Sequence, residues 1–133
     1  MIGVQSMLKP SDNSGAKKVR CIKVYGGGND KILKATIGDL ILVSVREYRP
    51  LNKQKNKYNI KKKILRKMLF KALVIRVKRN IKRDFEIIKS TDNAIVLLKL
   101  NNSIMCTKIF GPVFNELRQS HYMKIIQMSE GLI

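Results

Sequence analysis

Apolar and polar residues alternate along the N-terminal part of the chain, which is the pattern of half-buried β-strands. Residues Ile2 to Leu8 alternate roughly, and Lys17 to Tyr25 alternate again, with Val19 and Cys21 on one face. Between these two segments, Ser11 to Gly15 contains only residues that favour turns. We therefore predict two strands joined by a tight connection.

Further segments rich in strand-forming residues follow, and they are separated by turn residues. The glycine-rich stretch Gly26 to Asp30 predicts a hairpin turn, with a return strand over Lys31 to Ala35 and another turn over Thr36 to Asp39. The remaining predicted strands are Leu40 to Val45, Ala72 to Val77, Phe85 to Lys89 and Ala94 to Leu100. Several short strands at this spacing predict a mostly β fold, a small closed β-barrel.

Two other segments have different patterns. Asn52 to Asn59 is polar and lysine-rich, which predicts a loop, and Ile60 to Leu69 has apolar residues at helical spacing, which fits a basic amphipathic helix or a strand extension. In the tail, Gly111 and Pro112 predict the start of a short helix, because proline is tolerated at the first helical position. Val113, Phe114 and Leu117 would then form its apolar face.

The composition fits one globular domain over residues 1–133. No apolar stretch approaches the ~20 residues of a membrane-spanning helix, and the N-terminus lacks the layout of a secretory signal. Cys21 and Cys106 are far apart and form no C-x-x-C motif, so neither a disulfide framework nor a zinc site is predicted.

The net charge of +19 changes this picture, because most of it is local. The 38 residues from Arg46 to Arg83 contain 16 basic side chains and one acid, a balance of 16 − 1 = +15. Such a segment needs a polyanion, and nucleic acid is the leading partner. The segment has few aromatic residues, with Tyr48 and Tyr58 as its only tyrosines and no tryptophan, which favours contacts with phosphates and RNA shape over base stacking. The alternatives are a solvated basic face and a membrane surface.

The sequence contains few residues that could act together as catalytic groups. The single histidine, His121, has no nearby partner, and Asp84 and Glu86 are placed to neutralise Arg83 and Lys82. Gly26 to Gly28 lacks the Lys-Ser/Thr pair of a phosphate loop. We therefore predict no enzyme activity, no catalytic residues, no metal site and no cofactor.

Ordered blocks of sequence resemble the ribosomal protein L14 family, uL14, over nearly the whole chain. These blocks are Gln5 to Leu8, Asp12 to Lys17, Cys21 to Val24, Gly38-Asp39, Val45 to Glu47, Lys71 to Arg76, Asp92 to Leu98, Thr107 to Val113, Glu116 to Arg118 and Met123 to Ile125. The resemblance implies a five-stranded β-barrel with a β-hairpin and short C-terminal helices. It also implies a structural role in the large ribosomal subunit, near the intersubunit face, that contributes to subunit bridging and translation.

The resemblance further implies partners and contact residues. The partners are large-subunit rRNA, neighbouring L3-like and L19-like proteins, small-subunit rRNA across the bridge, and a ribosome silencing factor. The implied rRNA contacts are Lys17, Lys18, Arg20, Lys23, Arg46, Arg76, Lys78 and Arg79. The implied intersubunit or silencing-factor face comprises Thr107, Lys108, Glu116, Leu117 and Arg118.

One segment departs from the family pattern, a basic insertion over about residues 51–70. Its cations are Lys61, Lys62, Lys63, Arg66 and Lys67, which we expect to contact RNA or an organelle-specific protein. The chain has 20 Lys, 17 Ile and 10 Asn but 4 Ala, which indicates an AT-rich gene such as a mitochondrial one. Because Met1 already stands at the family's first strand, we expect no cleavable targeting sequence and a mitochondrial ribosome, with another AT-rich organelle as the alternative.

Two other functions remain open on sequence alone. One is a free RNA-binding factor that visits the ribosome, and the other is a peripheral membrane protein anchored by the amphipathic stretch Ile60 to Lys71. We predict no membrane insertion, because the charge excess and the family blocks both favour RNA.

Overall fold

The computed structural model describes residues 1–26, 34–49, 67–118 and 122–133. Its strands are β1 Met7–Pro10, β2 Ala16–Val24, β3 Leu40–Tyr48, β4 Leu69–Arg76, β5 Asn80–Lys82, β6 Ile87–Lys89, β7 Ala94–Leu98, β8 Pro112–Val113 and β9 Gly131–Leu132. A 3-10 helix spans Asn115–Arg118 and helix α1 spans Met123–Met128. Strands β1, β2, β3, β4 and β7 form a closed barrel, as the number and spacing of the short strands predicted.

The barrel closes through the parallel pairing of β1 with β7, where Lys9 lies opposite Ala94. All other neighbouring barrel strands are antiparallel. Between β1 and β2, the predicted turn satisfies its own backbone: the Ser14 amide donates to Asp12 Oδ1 at 3.1 Å, and Gly15 has φ +98°. The second carboxylate oxygen of Asp12 accepts the Leu97 amide at 2.8 Å, so this turn also holds β7 in place.

Strands β4 and β7 are buried on both faces, which explains their unbroken apolar runs. Inside the barrel lie Phe70, Ala72, Val74, Ile95 and Leu97. Outside it, Leu73, Ile75, Ala94, Val96 and Leu98 pack against Ile109, Val113, Leu117, Ile125 and Ile126. The fold therefore has two apolar cores that share these strands, and full burial of each large side chain favours folding by roughly 1.5–3 kcal/mol.

The C-terminal segment corrects the predicted helix start. Pro112 lies in β8, paired in parallel with Gly131, and helical geometry begins only at Asn115. The backbone is held extended because the Ile133 amide donates to Val113 O and the Asn115 amide donates to Ile133 O, both at 3.0 Å. The apolar face was predicted correctly, since Val113, Phe114 and Leu117 are fully buried.

Several strand boundaries also differ from the prediction. The first strand begins at Met7, because Gln5 takes φ 71° and breaks the extended run, and Ile2 forms only a single bridge with Ala35. Strand β3 continues to Tyr48. At the other end of the chain, β7 stops at Leu98, where a turn begins with the Asn102 amide donating to Lys99 O at 2.9 Å.

The predicted strand from Phe85 is wrong in its first two residues. The Arg83 amide donates to Glu86 O at 2.8 Å, so residues 83–86 form the turn of the β5–β6 hairpin. Phe85 stands at its tip with a fully exposed side chain.

Other predictions fall outside the described residues. They are residues 27–30 of the predicted turn, residues 31–33 of the predicted return strand, the predicted loop Asn52 to Asn59, and residues 60–66 of the segment Ile60 to Leu69. Within the described part of that last segment, Leu69 already belongs to β4, so no helix extends to it.

Candidate nucleic-acid interface

Four lysines surround a groove of about 400 Å³ at the point where β1, β2 and the end of β4 meet. Its lining consists of Met7, Leu8, Lys9, Lys17, Lys18, Lys78, Asp92 and Asn93. The strand pairing brings these residues together, since β1 lies between β2 and β7, and β7 pairs with β4. The groove thus collects four cations from three separate places in the sequence.

Each lysine reaches the groove for a local reason. Lys9 is exposed between the buried residues Leu8 and Pro10 of β1. Lys17 and Lys18 are both exposed, although they are adjacent, because β2 has a register irregularity at this point. The Lys78 amide donates to Asn93 Oδ1 at 2.7 Å, which fixes the turn after β4 against β7.

A second groove, of about 390 Å³, continues the first, because Lys9 and Lys17 line both. It adds Arg49, whose amide donates to Gly15 O at 2.8 Å and so holds the end of β3 beside the β1–β2 turn. We call Lys9, Lys17, Lys18, Arg49 and Lys78 the basic surface. Among the described residues, its one ion pair joins Lys18 Nζ to Glu47 at 3.0 Å, an exposed contact worth about 0–1 kcal/mol.

Two members of the basic surface, Lys9 and Arg49, were absent from the sequence prediction. Lys9 carried a usable signal, since it alternates with Leu8 and Pro10 in a strand. No local pattern in the sequence indicated Arg49, because its place in the groove depends on the pairing of β2 with β3.

Arg76 needs a correction, because the resemblance placed it among the rRNA contacts. Its residue exposure is 7%, and its guanidinium donates to Asp92 Oδ1 at 2.9 Å and to the carbonyl oxygens of Phe110 and Pro112 at 3.2 and 2.8 Å. It also donates to the hydroxyl of Ser11 and to the second Asp92 oxygen. Arg76 therefore lines the second groove as a buried side chain whose charge is already paired with Asp92.

Asp92 is the acid that lines the first groove, and its negative charge is paired with the buried guanidinium of Arg76. Burial raises the pKa of its carboxyl, but hydrogen bonding and the charge of Arg76, with help from the Ser90 hydroxyl and Lys9, outweigh this and lower the pKa below its usual 3.8. At neutral pH Asp92 is a carboxylate bound to a guanidinium. It therefore offsets little of the charge that the lysines present to a phosphate.

The other predicted rRNA contacts lie elsewhere on the molecule. Arg20 and Arg46 flank Ser44 on the outer face of β2 and β3, and their Nε atoms are buried without a hydrogen-bond partner among the described residues. Lys23 Nζ lies 5.9 Å from the centre of the Tyr25 ring. Arg79 lines a third groove, with Lys82, beside the β5–β6 hairpin.

The predicted intersubunit face separates into two parts. Thr107 contacts the β1–β2 turn, where its amide donates to Asn13 Oδ1 at 3.1 Å. Lys108 Nζ lies 3.9 Å from Glu130 and 5.4 Å from the centre of the Phe110 ring. Arg118 is exposed at the end of the 3-10 helix.

Glu116 and Leu117 differ from that prediction. Glu116 accepts two hydrogen bonds from Arg83, at 2.8 and 3.0 Å, and this pairing lowers the pKa of its carboxyl against the opposing effect of burial. Leu117 has no exposed surface, because its side chain packs in the outer core. As a correction, Leu117 is a core residue and does not form part of an exposed face.

Most of the basic insertion lies outside the described residues, including Lys61, Lys62, Lys63 and Arg66. Lys67 is described: it is exposed, has φ 68°, and its amide donates to Val45 O at 2.8 Å. His121 also lies outside the described residues.

Within residues 1–26, 34–49, 67–118 and 122–133, no three His, Cys, Asp or Glu side chains gather as metal ligands would. Cys21 and Cys106 are buried free thiols; burial raises the pKa of both, and that of Cys106 rises to about 11 with a further contribution from Asp12. In the same part of the chain, no helix has the length and apolar character to cross a membrane.

Comparison with known proteins agrees with the resemblance in the sequence. The family model described as ribosomal protein L14p/L23e matches residues 1–133. A relative named large ribosomal subunit protein uL14, from the bacterium Carsonella ruddii (strain PV), is 41% identical over 134 residues, covering 100% of both chains. The chain therefore belongs to the ribosomal protein L14p/L23e family, whose members are structural proteins of the large ribosomal subunit and not enzymes.

Proposed function

We propose that this chain binds large-subunit ribosomal RNA through the basic surface. The observation that carries the proposal is the convergence of Lys9, Lys17, Lys18, Arg49 and Lys78 around two continuous grooves. Cations held this close together bind phosphates favourably, because each neutralised phosphate releases condensed counterions. Contacts of this kind set the position of a protein on RNA, while the shape of the folded RNA supplies specificity.

We also propose that the chain lies near the intersubunit face and contributes to subunit bridging. Lys108 and Arg118 are the exposed cations that this role would use, toward small-subunit rRNA or a ribosome silencing factor. The same placement puts L3-like and L19-like proteins beside it. Support for these partners comes from family membership and from the exposure of these two side chains.

Sedimentation tests the proposed rRNA contact. Cells that carry the Lys9→Glu, Lys17→Glu double variant are compared with wild type and with Lys99→Glu, which reverses an exposed lysine outside both grooves. Lysates are run on sucrose gradients at moderate and high salt, and fractions are blotted for the protein. The wild type and the control should remain with the large subunit through the high-salt wash.

The double variant should leave the large subunit at a lower salt concentration, because it has lost phosphate contacts. Each lost contact reduces the slope of log binding constant against log salt concentration by about one. If the double variant and the control wash off at the same salt concentration, the basic surface does not carry the contact. If the wild type itself leaves at modest salt, the chain is a transient factor and not an integral component.

For the compartment, we propose the mitochondrial ribosome. The enrichment in Lys, Ile and Asn supports an AT-rich gene, and the bacterial relative shows that the same family also serves bacterial ribosomes. Mapping the gene to a mitochondrial or a bacterial genome, together with cell fractionation, tests the proposal. A gene on a bacterial chromosome would overturn it without affecting the proposed rRNA contact.

A further inference from the structure

A third groove, apart from the basic surface, has an apolar floor and a charged rim. It encloses about 320 Å³ between the Thr36 to Asp39 turn, the β5–β6 hairpin and the 3-10 helix. Its floor consists of Ile37, Val77 and Ile81. This volume is at the low end of the roughly 300–1,000 Å³ range of ligand sites, so it suits one planar group and not a stretch of chain.

The walls of this groove are fixed by hydrogen bonds. On one side, the Thr36 amide donates to Asp39 Oδ2 at 2.7 Å, and the Gly38 amide donates to Val74 O at 2.9 Å. On the other side, Arg83 anchors the hairpin by donating to Glu116 and, at 2.8 Å, to the main-chain oxygen of Ile133. A preformed groove loses little conformational entropy when it is filled.

The charge at the rim is positive. Arg79 and Lys82 are exposed there and have no ion pair with an acid among the described residues. The third charged residue of the lining, Glu116, has its carboxylate occupied by Arg83. Lys34 is a further cation near this rim, since the pKa of the amino terminus is lowered by burial first and then by the charges of Arg79 and Lys34.

Polar groups that could read the edge of a base complete the lining. The Thr36 hydroxyl donates to Asp39 Oδ2 at 3.1 Å, which leaves its lone pairs free to accept a hydrogen bond. Asn80 carries an amide, which both donates and accepts. The apolar floor offers contact area for a base, the amide and the hydroxyl offer hydrogen bonds to its edge, and the two cations offer a site for its phosphate.

We infer that this groove holds one extruded nucleotide of the ribosomal RNA, with the base on Ile37, Val77 and Ile81 and the phosphate at Arg79 and Lys82. The inference rests on the proposed function and deepens it, since it adds base contact to phosphate contact. An acidic peptide is the competing occupant. The small volume disfavours it, because a peptide needs a longer groove for its backbone.

Ultraviolet crosslinking of intact large subunits tests the inference. Subunits carrying the wild-type chain are irradiated at a wavelength that couples all four bases, digested with nuclease and protease, and examined by mass spectrometry for peptides with a nucleotide adduct. We expect an adduct within residues 77–82. The Ile81→Trp substitution fills the groove and should abolish it, whereas Ile87→Trp changes an exposed hairpin residue outside the groove and should preserve it.

If Ile81→Trp does not assemble, the Arg79→Ser, Lys82→Ser double variant serves instead and should also lose the adduct. Adducts at Lys9 or Lys17 without one at residues 77–82 would overturn the inference and leave the proposed function intact. No RNA adduct anywhere on the chain would count against both. Crosslinking of Lys82 to a neighbouring protein would identify a peptide as the occupant and would also overturn the inference.

Discussion

Replacement of Arg76 by alanine should strongly destabilise the fold while leaving the cations of the basic surface in the chain. Arg76 is 7% exposed and links three segments: Asp92 before β7, the turn residue Ser11, and the main chain at Phe110 and Pro112. Alanine removes the guanidinium donor from two carbonyl oxygens and from the Asp92 carboxylate, which keeps the hydrogen bond from the Ser90 hydroxyl. Removing one partner of a buried ion pair costs about 3–5 kcal/mol.

We expect a value near the lower limit, about 3 kcal/mol, because the Asp92 side chain keeps 35% of its surface exposed to water. In a chain of this size, that corresponds to a fall in Tm of about 10 °C, measured by circular dichroism on the purified protein. The Arg76→Lys variant is the matched control.

Arg76→Lys should recover part of the loss, because lysine keeps the charge but cannot form the forked contact with Asp92 and the carbonyl oxygens. A change below about 1 kcal/mol for Arg76→Ala would refute the assignment of Arg76 as a buried structural residue. Such a result would restore it to the candidate RNA contacts.

Three further predictions follow from the same region and from the core. Gly111 has φ +78°, and an added Cβ would lie 2.9 Å from Arg76 Nη1. The Gly111→Ala substitution should therefore lower the free energy of unfolding by about 2 kcal/mol, measured by denaturant titration. An unchanged denaturation midpoint would contradict this. Because the pKa of the Asp92 carboxyl is lowered in the folded protein, ionised Asp92 stabilises the fold above its usual pKa of 3.8, and this contribution is lost as the pH falls below that value. The wild type should therefore lose more free energy of unfolding than Asp92→Asn between about pH 5 and 2. Parallel curves of stability against pH would show that the carboxylate does not contribute. With a pKa of about 11, Cys106 is thiolate in about one molecule in a thousand at pH 8, so its labelling by a thiol reagent should be slow until denaturant is added, and rapid labelling of the native protein would exclude its burial.

Local patterns predicted most of the barrel. Alternation marked β2, and runs of strand-forming apolar residues marked β3, β4 and β7. A half-buried strand alternates between apolar and polar residues, whereas a strand buried on both faces is apolar throughout. The turn at Thr36 to Asp39 was also predicted. Its side-chain and backbone hydrogen bonds are local, so the residue types alone indicate it.

Boundaries were predicted less well where distant segments meet. Pro112 is compatible with a helix start, but pairing with Gly131 places it in β8. Phe85 has high strand propensity, but the bond from the Arg83 amide to Glu86 O places it in a turn. In both cases a tertiary or turn contact outweighs a propensity that is worth ~1 kcal/mol or less.

The sequence by itself determined the class of the molecule: a basic, mostly β chain with a predicted affinity for a polyanion, whose ordered blocks identify its family. Only the tertiary structure decided which cations act together. It placed Lys9 and Arg49 beside Lys17, and it turned Arg76 inward to Asp92. The physical reason is that net charge is a sum over residues and can be counted from the sequence alone. A binding surface requires side chains from separate strands to meet, and this depends on the register and pairing of residues far apart in sequence.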